Sequence, residues 1–137
     1  MILENTKCDV VIKPTPKKLF QVWLPVFLYA GLIFYLSSLR HVKLPPIKYF
    51  DKFGHANLYA MFGVLVSRAF WYSVTHRRKI LLFLTFVGVT LYGMSDEWHQ
   101  SFVPGRSVDA WDVVADAVGG VMGGVLYVVY KQYKKSA

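Results

Sequence analysis

The sequence predicts an all-α membrane protein, a single four-transmembrane-helix bundle with both termini cytoplasmic. Three observations carry that class: composition, the lengths of four apolar stretches, and the distribution of Lys and Arg. Of 137 residues, 55% are hydrophobic and 18% charged, with mean hydropathy +0.36. A soluble domain this small has too much surface for its volume to hide so much apolar area. The stretches are long and mostly apolar all round, unlike the short alternating strands of a β-barrel. There is no sign of a second domain, a solenoid-period repeat or a low-complexity tract.

Residues 1–18 form a basic tail. The first helix is expected over about Leu19 to Leu39, a stretch without formal charge that rises roughly 30 Å, the thickness of the hydrocarbon core. Lys17 and Lys18 resemble the basic start of a cleaved signal. However, the apolar run is long for one and no A-x-A-like site ends it, so the helix is read as retained. The second helix is expected over about Asp51 to Tyr72, after Pro45-Pro46. The third spans roughly Ile80 to Phe102, with no Asp, Glu, Lys, Arg or His before Asp96. The fourth runs from about Asp109 to Tyr130, closing a transmembrane domain of 19–130 before a basic tail at 131–137.

Orientation follows from counting Lys and Arg. Lys7, Lys13, Lys17, Lys18, Arg77, Arg78, Lys79, Lys131, Lys134 and Lys135 fall on the side of the termini. Arg40, Lys43, Lys48, Lys52 and Arg106 fall on the other. The excess puts the termini in the cytoplasm. Arg68, inside the second helix, can snorkel to the inner headgroups. Trp23 and Trp71 fall near the expected inner boundaries, and Trp98 and Trp111 near the outer ones, as in an aromatic belt. The net charge of +8 is thereby explained without nucleic acid, and the basic segments can also touch anionic headgroups. Cys8 is the only cysteine, so no intramolecular disulfide forms, and an incidental reduced thiol is the simplest reading.

Six of the eight acidic residues, Asp51, Asp96, Glu97, Asp109, Asp112 and Asp116, map to the expected outer ends of helices two, three and four. Ionisable groups are expensive near hydrocarbon and usually line a polar interior, so this concentration marks a candidate site. Asp51, His55 and Tyr59 are spaced i, i+4, i+8 and share one stripe, bordered by Lys52. Asp51 can equally be a first-turn carboxylate favoured by the helix dipole. His55, a turn deeper, is read as a working residue, the alternative being a hydrogen bond to a neighbouring helix. On the third helix, Gln100 falls between Asp96 and Glu97, and this arc is expected to face inward with Trp98 pointing away. Glu97 and His99 are about 160° apart, so His99 is assigned to a headgroup or a supporting partner.

Val103-Pro104-Gly105-Arg106-Ser107 reads as a tight return. Ser107 or Asp109 can cap the fourth helix, and Arg106 can pair with a carboxylate or a phosphate. Asp109, Asp112 and Asp116 at i, i+3, i+7 lie within about 60° of arc. Below them Gly119, Gly120, Gly123 and Gly124 make two overlapping G-x-x-x-G patterns, expected to draw the fourth helix close to its neighbours. They are not a phosphate loop, since no strand precedes them and no G-K-[ST] follows. H-E-x-x-H, paired C-x-x-C and G-x-S-x-G are also absent. Two or three carboxylates with His55 can hold a divalent cation, but a spacing scattered over three helices names no metal.

Taken in order, Asp51-Lys52-x-x-His55-x-x-x-Tyr59, Asp96-Glu97-x-x-Gln100-x-Phe102-x-Pro104-Gly105-Arg106, Asp112 and Gly119-Gly120 resemble the VanZ-like family over about residues 50–125. These are small multi-pass bacterial membrane proteins whose founding member is linked to teicoplanin resistance. The resemblance carries over Asp51, Lys52, His55, Tyr59, Glu97, Gln100, Arg106 and Asp112 as site positions. Asp116 departs from the pattern, standing where the family has asparagine.

The preferred expectation is an enzyme at the extracytoplasmic face of the cell membrane, acting on a lipid-linked or anionic-headgroup envelope substrate. Glu97 and His55 would do acid–base work with Asp112 orienting or coordinating a cation. Lys52, Arg106, Gln100 and Tyr59 would bind substrate, and Asp51, Asp96 and Asp116 would support them. The alternative is a non-catalytic protein that captures a lipid headgroup, a cell-wall precursor or a glycopeptide. An ion pathway is disfavoured because the inner halves of the helices lack polar residues, and a purely structural network is the remaining reading.

Overall fold

A computed structural model describes residues 14–39, 50–106 and 108–136 of the chain. Lys7, Cys8, Lys13, Arg40, Lys43, Pro45, Pro46, Lys48 and Ser107 lie outside the described residues. The described residues form four helices and no strand: α1 (Pro16–Ser37), α2 (Phe50–Ser73), α3 (Arg78–Gln100) and α4 (Ala110–Ser136).

Local chemistry moves the helix ends from their expected places. α1 begins at Pro16 rather than at 19, because Thr15 is a good N-cap: its Oγ1 accepts from the Lys18 N–H at 3.3 Å, and Pro16 occupies the first turn, where a missing N–H costs nothing. Its end at Ser37 replaces the expected 39. α3 runs from Arg78 to Gln100 instead of 80–102. It stops because Phe102 and Val103 turn back onto the carbonyls of His99 and Gln100, and the chain then reaches Pro104-Gly105. Gly105 has φ 88°, a conformation that glycine takes without strain. α4 starts at Ala110 and continues to Ser136, so most of the expected 131–137 tail is helix. No Pro or Gly interrupts Lys131-Gln132-Tyr133-Lys134-Lys135, and lysines suit the negative end of a helix dipole.

Three of the helices, α1, α3 and α4, are long and apolar enough to cross a membrane. α2, with 24 residues, is long enough but does not meet that criterion, since Asp51, Lys52, His55, Asn57 and Arg68 dilute its apolar character. It is nevertheless central, packing on α1, α3 and α4, whereas α1 and α4 do not touch among the described residues. Val22, Val26 and Ile33 of α1 meet Tyr59, Phe62, Val66 and Ala69 of α2 and Val89 of α3 in the main core. Phe20, Phe27, Phe83, Leu91 and Leu126 stay exposed on the outside. So much outward apolar surface fits lipid and not water.

The glycines of α4 seat it against α2 as expected. A Cβ on Gly119 or Gly123 would overlap the backbone carbonyl of Ala56 or Ala60, and one on Gly63 would overlap the backbone of Gly120. Small residues thus let the two backbones touch, the usual device where lipid removes any hydrophobic gain from association. A buried Ser67–Thr85 hydroxyl pair at 2.8 Å joins α2 to α3. Tyr29 and Tyr92 tie α1 on, donating to the carbonyls of Leu58 at 3.1 Å and Ala30 at 2.6 Å.

Candidate functional site

The site lies where α1 and α3 finish and α2 and α4 begin. The close α2–α4 seam places the first turns of those helices side by side, and Lys52 sits at their junction. Its ammonium donates to Asp109 at 2.6 Å, Asp112 at 2.8 Å and Asp51 at 3.3 Å. One cation therefore answers three carboxylates and clamps α2 to α4. Asp109, which precedes α4, also accepts the Trp111 N–H at 2.9 Å, acting as the cap expected of it. The hydrogen bond from Lys52, aided by the Trp111 N–H, holds the Asp109 carboxyl below the usual carboxylate range.

One turn deeper, His55 Nδ1 pairs with Asp116 Oδ1 at 2.9 Å. Asp116 is 0% exposed, and its other oxygen, Oδ2, has no hydrogen-bond partner. Gly93 of α3 makes room for it, since a Cβ there would lie 2.8 Å from Oδ2. The His55 ring lies nearly parallel to that of Tyr59, with centroids 6.5 Å apart. Tyr59 is fully buried and its hydroxyl is unpartnered. His55 and Tyr59 of the stripe therefore face α4 and α3, while Asp51 above them pairs with Lys52 on its own helix.

From α3, Asp96, Glu97 and Gln100 all point inward and are buried, while Trp98 is 69% exposed, as the helical arc requires. Gln100 donates to Asp96 Oδ2 at 3.1 Å. Glu97 Oε2 accepts the Asp109 N–H at 3.1 Å, which ties the end of α3 to the start of α4. Glu97 Oε1 and Asp96 Oδ1 are buried without a partner. His55, Glu97 and Asp112 each offer one ligand atom within 4.8 Å of the other two, a grouping able to hold a metal ion.

Two expected residues make their contacts with the end of α1. Arg106 Nη2 donates to the carbonyl of Leu36 at 3.2 Å, closing the turn over the end of α1; among the described residues its guanidinium meets no carboxylate, and its Nε is buried without a partner. His99 faces α1 and not the cluster: its Nε2 lies 2.9 Å from Ser38 Oγ and its ring stacks on Phe34 at 4.1 Å. Sequence reasoning missed Gly93 and Tyr92. Tyr92 packs its ring on Tyr59 and Phe62. Neither carries a local signal, because each matters only through what faces it on another helix.

The arrangement combines a histidine oriented by a buried carboxylate, a second buried carboxylate with a free oxygen, and a third held by lysine. Such a set can move protons or coordinate a cation. Comparison with known proteins agrees with the motifs that compose it. The sequence model of the family described as VanZ/LLP1 matches residues 19–131. No curated protein and no solved structure matches the chain. The match covers all but the ends of the chain and takes in every residue of the site, so the protein belongs to the VanZ/LLP1 family.

Proposed function

We propose that this VanZ-family protein crosses the bacterial cell membrane four times with both termini in the cytoplasm, and acts as an acid–base enzyme at the extracytoplasmic end of the bundle. Its substrate class is an envelope lipid with an anionic or lipid-linked headgroup. The observation that carries this reading is the approach of His55, Glu97 and Asp112, from three separate helices, to within 4.8 Å. Asp116 orients His55 in the manner of a carboxylate behind a catalytic or metal-bound imidazole. With Asp116 ionised, Nδ1–H donates to it, and the lone pair of Nε2 remains for a proton or a metal. Glu97, with one oxygen committed to the Asp109 N–H and the other free, is the second proton-transfer group.

Electrostatics shapes the role of a cation. Six carboxylates and two permanent cations, Lys52 and Arg106, lie at this end of the bundle. Lys52 is occupied by aspartates and Arg106 donates to a backbone carbonyl. An anionic headgroup approaching this cluster meets net negative charge. His55, Glu97 and Asp112 would hold a divalent cation, which would supply the positive charge that an anionic headgroup needs at this cluster. The mixed imidazole and carboxylate ligands suit Zn²⁺ or Mn²⁺ better than Ca²⁺. An effect on glycopeptide susceptibility, including teicoplanin, would follow if the altered lipid carries a cell-wall precursor.

The three-way clamp at Lys52 favours a second reading, in which the polar cluster holds the helices and captures a headgroup, precursor or glycopeptide without turning it over. Deleting the gene in its host and restoring wild type, Glu97→Gln or His55→Gln separates the two. A lipid species restored by wild type but by neither variant, at equal membrane abundance, supports the enzyme. Restoration by Glu97→Gln removes that residue from the chemistry.

A further inference from the structure

The opposite end of the bundle holds a second feature that the acid–base site does not use. A cavity of about 480 Å³ opens between α2 and α4, with Val64 and Leu126 forming an apolar wall and Arg68, Tyr130, Lys131 and Lys134 a polar one. Lys131 Nζ donates to Tyr72 Oη at 3.1 Å and lies 5.0 Å from the centre of that ring, while Lys18 Nζ lies 4.4 Å from the same centre. Aromatic rings and a hydroxyl thus hold these ammonium groups, and among the described residues no carboxylate does. All the acidic residues of the helices belong to the other end, so among the described residues this end has only cations. Among the described residues Arg68 makes no ion pair. It stands five residues before the end of α2 at Ser73, roughly 7–8 Å along the axis, near the depth of the lipid phosphates.

We propose that this cavity binds one anionic phospholipid, its phosphate diester held by Arg68, Lys131 and Lys134 and one acyl chain lying along Val64 and Leu126. A guanidinium matches two phosphate oxygens at once, and the ammonium groups add charge without demanding geometry. Basic pockets between transmembrane helices take lipid headgroups for this reason. The apolar wall distinguishes the site from one for a free anion, which would gain nothing from Val64 and Leu126. This binding is independent of the chemistry proposed at the other end.

The test compares the full-length protein in nanodiscs of phosphatidylcholine with and without phosphatidylglycerol, reading retained lipid by native mass spectrometry and thermal unfolding in parallel. Arg68→Gln/Lys134→Gln is set against Lys79→Gln/Lys135→Gln, which removes the same charge from the same end but outside the cavity. The first pair is expected to lose the preference for phosphatidylglycerol by about tenfold or more, and the second to keep it. Equal losses would overturn the proposal in favour of diffuse attraction. Stabilisation by inorganic phosphate alone, in phosphatidylcholine discs, to the level that phosphatidylglycerol gives would overturn the assignment to a lipid. Lys134→Gln alone repeats the comparison at an exposed side chain, should loss of Arg68 impair folding.

Discussion

Adding one methyl group at Gly123 should open the functional site from a distance. Its Cβ would overlap the Ala60 carbonyl oxygen and come within 2.9 Å of the Val64 amide nitrogen. Both are backbone atoms, so no rotamer change relieves the clash, and α2 and α4 must part by about 1 Å. Lys52–Asp112 at 2.8 Å and His55–Asp116 at 2.9 Å cross the same seam. Carried to that end, the separation takes both pairs to about 4 Å, beyond hydrogen-bond reach. Overpacking alone costs about 1–3 kcal/mol, and each weakened bond to a charged group adds about 1.5–3 kcal/mol at most. Gly123→Ala is therefore expected to destabilise the protein by about 1 kcal/mol if only overpacking acts and by up to roughly 9 kcal/mol if both bonds are lost. Gly31→Ala is the control: a Cβ there meets nothing within 4 Å, and alanine's better helix propensity gives a change between zero and about 1 kcal/mol of stabilisation. Denaturant titration in detergent micelles measures both. If Gly123→Ala proves as stable as Gly31→Ala, the close seam does not hold the site together.

Four further outcomes follow from the same geometry. Lys52→Met should destabilise by about 1–3 kcal/mol, and a double-mutant cycle with Asp112→Asn in the same titration should return a favourable coupling; additive effects would show that the clamp contributes nothing. Asp109 has a folded-state pKa below its ordinary value because of Lys52, so its contribution is complete above about pH 4. That contribution is lost as pH falls through the folded pKa, so melting curves of Asp109→Asn should show a smaller drop between neutral pH and pH 3 than wild type. Gly93→Ala should push Asp116 off His55, as its Cβ would lie 2.8 Å from Oδ2 and 3.2 Å from the Asp116 Cβ, and complementation should fall with it. Asp116→Asn should weaken Zn²⁺ or Mn²⁺ binding about 10–100-fold in metal titrations, the usual effect of losing the carboxylate behind a ligating histidine.

Much of the architecture was legible because helices write their faces into the sequence. The i, i+4, i+8 spacing of Asp51, His55 and Tyr59 and the arc of Asp96, Glu97 and Gln100 gave the inward faces. The small residues at 119, 120, 123 and 124 gave the seam. What periodicity cannot supply is the partner across a helix boundary. Lys52 was read as a substrate group, yet three aspartates surround it, because the loop before α4 brings Asp109 over the start of α2. Arg106 has one range of partners on paper and takes a backbone carbonyl of α1 in the fold. His99 was assigned to a headgroup or a supporting partner, and its contact with Phe34 was not legible because it depends on where α1 ends. Gly93 was invisible for a related reason: its meaning is the volume of Asp116 on a different helix. The helical end of α4 was hidden by charge, since lysines mark both a cytoplasmic tail and a favourable helix terminus.

The proposed chemistry is tested most directly by turnover. Purified wild type and Glu97→Gln, each in nanodiscs, would be given total envelope lipids from the host with and without Mn²⁺ or Zn²⁺, and the lipids compared by mass spectrometry. A new lipid species formed by wild type with metal, and absent with Glu97→Gln, is the result expected. The same lipid retained by both proteins, with no product from either, would contradict the enzyme and leave a binding protein in its place.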